Sequence, residues 1–481
     1  MDSSPAANLH PATNPCTAPG SIVLPPTDRI PPETDAGLTL QPSEYSLLTD
    51  LYQLTMTTCY VGEGLDQQRA SFELFARQLP TGFGYLVAMG LAQAIDYLQH
   101  LRFSSTQIQA LQATNLFAGA PDRFWSLLAE APFTGDLWAV PEGTVVFANE
   151  PLLRVEAPLW QAQIAETYLL NAINYQTLIA TRAARLRDVA GPTARLLEFG
   201  TRRAFSPQAS LWAARAALAA GLDATSNVLA ALKLDRQPTG TMAHALVMAF
   251  TATAGSEAAA FTAFHRYFPG APLLIDTYDT IAAAQHLAEQ VRSGNLQLAG
   301  VRLDSGDLVT LSTEVRQLLP DVPIFASGDL DEYRIAELKA AGACIDGYGL
   351  GTKLVTGTPV NGVYKLVELD GIPVMKAATG KQTYPGRKQI FRRYQAGQIV
   401  GDRLGLSSEL PEADESPLMQ PVIQSGICIQ SPESLTTIAQ RTADSIASLS
   451  KSARQLDHPV SPPITRSPAL IELIDRIGQH R

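Results

Sequence analysis

The sequence predicts an α/β protein built on a parallel sheet with helical crossovers. Three observations carry this reading. From about Thr193, short apolar runs alternate with amphipathic helical runs, the rhythm of repeated βα units. Each apolar run ends abruptly in polar residues: "LLIDTYDT" in Asp276, "GVRLDSGDL" in Arg302 and Asp304, "VPIFASGDL" in Ser327. The helical runs between them have clear stops, at Pro320 and Gly342. An open doubly wound sheet and a closed barrel both satisfy the pattern. In either, ligands bind beyond the C-terminal ends of the strands.

The elements follow in order. Residues 1–42 hold nine prolines among Ala, Thr and Ser and read as a disordered tail. Order begins at "SLLTDLYQLTM", with helical apolar spacing. "ASFELFARQLP" alternates and reads as a strand, and "GTVVFANEPLLRVEAP" reads as two strands turning at Asn149–Pro151. A long helix is expected over 161–187. Its apolar residues Tyr168, Leu169, Leu170 and Ile173 spread beyond one face, which suits burial against a partner as well as core. Strands then end at "LLEFGTRR", Asp276, Arg302, Ser327 and "GYGLGTKL". Helices are expected over 280–292, 308–319 and 331–341. From about Asp444 the chain is punctuated by Ser and Pro and reads as a loosely attached tail with one short helix, "ALIELIDRI".

Composition narrows the function. The chain has 481 residues, 46% hydrophobic and 17% charged, with a net charge of -10. This disfavours a nucleic-acid or anionic-membrane surface, which needs clustered basic charge, but leaves room for a small phosphorylated ligand. The four cysteines form no CxxC pair, so neither a zinc site nor a disulfide framework is expected, and a reducing compartment fits. No apolar run is long enough to span a membrane, and the N-terminus lacks the regions of a secretory signal.

Three loops point to phosphate. "SGDL" occurs at Ser305–Leu308 and again at Ser327–Leu330, each after a strand and before a helix, and "GYGLGTKL" supplies Gly351, Thr352 and Lys353 after another strand. Glycine lets backbone approach a ligand closely, and the first N–H groups of a helix favour an anion. Arg202, Arg203 and Arg302 at strand ends are either solvated or anion-binding, while Asp276, Asp304, Asp307 and Asp329 suit hydroxyls, magnesium or helix caps. Together they point to a sugar phosphate. "GTMAHALVMAF" places His244 in the first turn of an apolar helix expected to be packed. Such a histidine is ordinarily a core residue held by a backbone carbonyl. The basic cluster "YPGRKQIFRR" reads as a solvated face.

The series "LLTDLYQLTM", "FELFARQLP", "GFGYLVAMGL", "LLEFGTRRAFSP", "DATSNVLAALKL", "GTMAHALVMAF", "LLIDTYDT", "GVRLDSGDL", "FASGDLDE", "IDGYGLGTKLVTG" and "KQTYPGRKQIFR" strongly resembles the nicotinate phosphoribosyltransferase family. The resemblance covers roughly residues 46–430, in order. It implies the type II phosphoribosyltransferase fold, an irregular α/β barrel with an α/β sandwich formed by N- and C-terminal segments. The implied division is a tail at 1–42, a sandwich domain at 43–190, a catalytic barrel at 191–360, a segment at 361–430 returning to the sandwich, and a C-terminal tail at 431–481.

The resemblance also implies the activity: nicotinate and phosphoribosyl pyrophosphate give nicotinate mononucleotide and pyrophosphate, in NAD salvage. ATP hydrolysis drives the synthesis through a phosphohistidine at the position of His244. Magnesium accompanies the pyrophosphate substrate and ATP. The family works in the cytoplasm as a homodimer with shared active sites. Tyr52 and Thr241 match nicotinate contacts, Tyr52 by reaching a neighbouring subunit's site. Arg302 matches the arginine that helps hold nicotinate, and Asp276 an acid near ribose and ring. Arg202, Ser327, Gly328 and Asp329 match pyrophosphate and 5′-phosphate ligands, and Gly351 and Thr352 match phosphoribosyl contacts.

Three rivals remain at this level. Nicotinamide phosphoribosyltransferase favours an acid near the amide. Here "DATSN" offers Thr225 and Ser226, which suit a carboxylate, with Asp223 as the exception. Quinolinate phosphoribosyltransferase lacks the histidine motif. A non-catalytic sugar-phosphate-binding barrel would not need His244 beside all three loops.

Overall fold

A computed structural model describes residues 40–130, 132–376 and 383–479; the Pro-rich stretch 1–39 lies outside the described residues. Six short strands form one all-parallel sheet. Its order is Ala224–Thr225, Arg195–Glu198, Gly347–Leu350, Ile324–Ala326, Val301–Leu303 and Leu273–Leu274. Leu196, Leu273, Leu274, Val301, Leu303, Ile324 and Leu350 are fully buried, as strands covered on both faces require. The crossovers are helices Thr280–Arg292, Leu308–Leu318 and Glu332–Ala340, each within a residue of its expected bounds.

A second, seven-stranded antiparallel sheet draws on both sides of the parallel one. Its order is Ile372–Pro373, Gly362–Leu369, Arg69–Ala76, Pro151–Pro158, Asp136–Ala139, Gln420–Gln424 and Ile427–Cys428. The turn before Pro151 is made by Asn149 at φ 66°, a conformation asparagine tolerates. A four-stranded sheet, Glu415–Pro417, Lys388–Gln395, Gln398–Leu406 and Ile464–Arg466, and a two-stranded one, Leu86–Val87 with Val145–Val146, are the other sheets among the described residues. No described helix is long and apolar enough to cross a membrane.

Four expectations need correcting. The long helix over 161–187 is two helices, Leu159–Ile164 and Glu166–Ala190, meeting at Ala165. Its residues Tyr168, Leu169 and Ile173 are buried by the chain's own core, so they offer no surface to a partner. The segment after Asp444 is not loose. Strand Ile464–Arg466 pairs in parallel with Gln398–Leu406, and helix Pro468–Gln479 buries Leu470, Leu473 and Ile474. Their spacing of three and four is what seats a helix on a core, and the flanking prolines only mark its turns.

The basic cluster at 384–393 is not a solvated face either. Lys388 pairs with Glu73 at 2.9 Å and Arg392 with Asp402 at 2.7 Å, and all four side chains are nearly inaccessible. Alternation puts the two cations on the inner face of strand Lys388–Gln395, where buried carboxylates compensate them. Last, helix His244–Ala254 is apolar yet buries only Val247, leaving Met248 56% exposed.

Candidate active site

The C-terminal ends of the parallel strands bring together the turn after Glu198, Asp276 and Thr277, Arg302 to Asp304, Ser327 to Asp329, and Gly349 to Thr352. Two cavities open there. The larger, about 410 Å³, is lined by Arg202, Arg203, Arg302, Ser327–Asp329 and Gly351–Thr352. The smaller, about 90 Å³, is lined by Phe199, Gly240, Thr241, Phe325, Gly349 and again Arg302. One cavity is cationic and polar, and the other is a narrow slot with two aromatic rings in its lining, running back toward Arg195, Pro272 and Ala299 at the strand starts. Arg302 belongs to both.

Strand alternation sets this up. Arg195, Leu197 and Phe199 occur at every second position and all face the small cavity. The glycines of "GYGLG" serve it too. A Cβ on Gly349 would lie 2.6 Å from the Phe199 ring, and one on Gly347 would lie 2.7 Å from the Phe325 ring. Sequence reasoning took this glycine run as a loop after a strand. Gly347–Leu350 is instead the strand itself, and its missing side chains make room for the rings. Phe199 and Phe325 were not anticipated; the alternation from Arg195 to Phe199 was the signal for the first.

The three anion loops are not equivalent. Gly306 and Gly328 both take positive φ (85° and 95°), which glycine adopts at little cost. In the first copy, Asp307 caps helix Leu308–Leu318 by accepting from the Val309 and Thr310 N–H groups, the donors an anion would use, so this copy is a capped helix. In the second copy, Asp331 caps the following helix, while Ser327 donates to Asp304 Oδ1 at 2.5 Å and Gly328 packs on the Asp304 carbonyl. This copy faces the arginines. At the third, Gly351 precedes helix Thr352–Val355 with no side-chain cap, so those N–H groups are not taken by a capping side chain.

Arg302 is held by Met242 O at 2.9 Å and lies 3.9 Å from Asp304, with its side chain 13% exposed. Its Nε is buried without a partner. Burial pushes its pKa down, against the pull of Asp304 and Asp276. Asp276 Oδ2 accepts from the Asp304 N–H (2.7 Å) and the Ser305 hydroxyl (2.8 Å), and its Oδ1 is buried without a partner. Buried donors and acceptors left open at one site are what a polar ligand would satisfy.

His244 starts its helix, as the sequence reading placed it. Its Nδ1 lies 3.1 Å from the Thr277 hydroxyl, a side-chain partner next to Asp276 rather than a backbone carbonyl. His244 and Asp276 line neither cavity. Thr241 lines the small one, its hydroxyl donating to the Pro272 carbonyl. Glu257, unsuspected from the sequence, adds a carboxyl pushed up by burial and by Asp276 and Asp279.

Tyr52 is elsewhere. It is 47% exposed and lines a third cavity of about 400 Å³ with Glu166, Tyr175, Phe205 and Val355. No lining residue is common to this cavity and the other two. Burial, then Glu166 and Asp50, push the Tyr52 phenol up to about 12. Asp223 is also remote from the slot. Its carboxylate takes the Arg187 guanidinium and the Leu196 N–H, both at 2.6 Å. The Thr225 hydroxyl donates to buried Glu198, which also accepts from the Gly200 N–H and so fixes the turn carrying Arg202 and Arg203.

Residues 47–174 match the model of the nicotinate phosphoribosyltransferase N-terminal domain, and residues 194–324 match that of the nicotinate phosphoribosyltransferase family. The chain is 43% identical over 392 residues to the nicotinate phosphoribosyltransferase pncB2 of Mycobacterium tuberculosis, covering 79% of this chain and 82% of that one. It is 43% identical over 364 residues to the nicotinate phosphoribosyltransferase of Bacillus subtilis, covering 72% and 73%. The crystal structure of human nicotinic acid phosphoribosyltransferase superposes with a TM-score of 0.78 at 30% identity, over 90% of this chain and all of that one.

Proposed function

The chain belongs to the nicotinate phosphoribosyltransferase family, and from that premise we propose that its paired cavities join nicotinate to phosphoribosyl pyrophosphate in NAD salvage, with ATP hydrolysis coupled through His244. The observation that carries this reading is the sharing of Arg302 between the aromatic slot and the cationic cavity. A flat anionic ring fits the first and a polyanionic sugar the second.

The chemistry asks for little more than placement. The nicotinate ring nitrogen already carries a lone pair and needs no base. Its bond to C1 of the ribose forms as the C1–oxygen bond to pyrophosphate breaks, and the electron pair leaves with pyrophosphate. Phe199 and Phe325 sandwich the ring, and Arg302 meets its carboxylate, so that the nitrogen faces C1. Arg202, Arg203 and the N–H groups at Gly351 and Thr352 stabilise the charge gathering on the phosphates. Ser327, Gly328 and Asp329 form the opposite wall. Asp276, which lines neither cavity, serves the ribose site from behind Asp304 and Ser305, whose N–H and hydroxyl it holds.

Magnesium fits as a companion of the substrate. Among the described residues no three His, Cys, Asp or Glu side chains gather as a metal site, while the open Oδ1 of Asp276 offers one carboxylate oxygen. Magnesium commonly takes one or two carboxylates beside substrate phosphates, and when bound it screens the diphosphate charge. His244 supplies an imidazole ring nitrogen as nucleophile. It takes the γ-phosphoryl group of ATP, releasing ADP, and water later releases phosphate.

The parallel sheet forms the irregular barrel at 191–360, and the antiparallel sheet belongs to a sandwich built from 43–190 and 361–430. The enzyme acts in the cytoplasm as a homodimer. Its Tyr52 serves a neighbour's slot, a reading supported by the absence of Tyr52 from its own slot's lining and by exposed Tyr52, Phe205 and Met248. The test incubates purified protein with labelled ATP, magnesium, nicotinate and phosphoribosyl pyrophosphate. An acid-labile phosphoprotein and nicotinate mononucleotide are expected. Absence of both would leave a non-catalytic sugar-phosphate-binding barrel.

A further inference from the structure

Helix Glu166–Ala190 is about 37 Å long at 1.5 Å per residue and lines neither strand-end cavity, yet one of its faces reaches the phosphate loop. Tyr175 and Arg182 are seven residues apart, about two turns, and so share a side of the helix. The Arg182 guanidinium donates through Nη1 to the carbonyls of both Lys353 and Thr356. The Tyr175 hydroxyl donates to the Val355 carbonyl at 3.1 Å. One residue before Tyr175, Asn174 Oδ1 accepts from the Gly362 N–H at 3.0 Å.

These acceptors are the C-terminal carbonyls of helix Thr352–Val355, which a helix of this length cannot satisfy internally. The opposite end of the same turn is Gly351–Thr352, in the wall of the cationic cavity. The turn is also tied to itself, Thr356 donating through its hydroxyl to the Thr352 carbonyl at 2.7 Å. Gly357, at φ 137°, has no Cβ where the Arg182 guanidinium lies. The backbone therefore passes close enough for one guanidinium nitrogen to hold two carbonyls at once.

We propose that Arg182, seconded by Tyr175, is a positioning residue for the phosphoribosyl pyrophosphate site: it clamps the far end of the 352–356 turn and so aims the N–H groups of Gly351 and Thr352 at the substrate's phosphates. This rests on the phosphoribosyltransferase reading. The guanidinium touches no substrate. It neutralises the carbonyl end of the turn while the N–H end meets the anion, so both ends of one short element are satisfied with opposite charge. Lysine is not equivalent here, because it keeps the charge but as a flexible, strongly hydrated ammonium without the rigid planar head of a guanidinium.

The test compares wild type with Arg182→Gln, Arg182→Lys and Tyr175→Phe, in steady-state kinetics and in calorimetric titration with phosphoribosyl pyrophosphate. Loss of a group that orients a ligand residue commonly costs about 10-fold in affinity. Arg182→Gln is therefore expected to raise KM and Kd for phosphoribosyl pyrophosphate about 10-fold while KM for nicotinate stays within about 2-fold, with Arg182→Lys intermediate. Unchanged affinity for phosphoribosyl pyrophosphate, or equal losses for both substrates, overturns the clamp. Should Arg182→Gln fail to fold, Tyr175→Phe decides: it removes one hydroxyl, and a selective rise of about 3-fold is expected, whereas no change overturns the inference. A wild-type protein that binds phosphoribosyl pyrophosphate but makes no nucleotide refutes the proposed activity instead, and the binding titrations still judge the clamp.

Discussion

Arg302 donates through Nη2 to the carbonyl of Met242 at 2.9 Å, two residues before His244. The cation shared by both cavities thus also braces the turn that presents the histidine. A change at Arg302 should be felt by the ring, the phosphates and the ATP-linked residue together.

Arg302→Lys keeps the charge and loses the fork. A charge-assisted hydrogen bond is worth about 1.5–3 kcal/mol, so kcat/KM for nicotinate is expected to fall about 10- to 100-fold. ATP stimulation should weaken with it. Steady-state rates with and without ATP check this, and a loss confined to ATP stimulation would place Arg302 outside the ring site.

His244→Ala removes the nucleophile but neither cavity wall. It is expected to abolish labelling by ATP and ATP stimulation while leaving slow nucleotide formation. Acid-labile phosphate measured on wild type and variant side by side decides it. Labelling retained by the variant would move the phosphorylated group elsewhere.

Gly349→Ala adds a methyl 2.6 Å from the Phe199 ring and 3.2 Å from Ser327 Cβ. Overpacking of this kind costs about 1–3 kcal/mol, and the ring that must give is part of the slot's lining. KM for nicotinate should rise more than KM for phosphoribosyl pyrophosphate, with a lower Tm. A Tm shift without the KM rise would show that the slot does not hold the ring.

Glu415 makes a charged hydrogen bond to Arg403 at 2.6 Å, with its side chain fully inaccessible. Arg403 holds it down to about 2, from an ordinary 4.5. A lowered carboxylate contributes stability that is complete above the unfolded value and is lost as pH falls toward the folded one. Wild type should therefore lose about 2 kcal/mol more than Glu415→Gln between pH 5 and pH 2. Denaturant melts across that range measure it, and parallel pH slopes would contradict it.

Much of the catalytic end was readable from residue order. Strand ends have to be polar where a ligand binds, so Arg302, Asp276, Ser327 and Thr352 stood out against Leu, Ile and Val. The two SGDL copies look alike in sequence, but only the fold shows Asp307 consuming the N–H groups of its own helix while Ser327 faces the arginines. The aromatic slot escaped notice because Phe199 and Phe325 pass for core residues until the glycines beside them are seen to leave room. The C-terminal segment and the basic strand were misread because proline and charge density report local chemistry, whereas pairing with Glu73 and Asp402 comes from distant parts of the chain.

The most direct measurement is nucleotide formation by the purified protein with phosphoribosyl pyrophosphate, magnesium and ATP, offered nicotinate or nicotinamide at equal concentration. Neither Asp223 nor Thr225 lines either cavity, so neither is placed at the slot to accept an amide N–H, and Arg302 seeks a carboxylate. Nicotinate should give the mononucleotide and pyrophosphate in equal amounts, with nicotinamide at least about 100-fold slower, the order of discrimination an unpaired buried polar group imposes. Comparable rates for the two, or no nucleotide from nicotinate, would contradict the assignment.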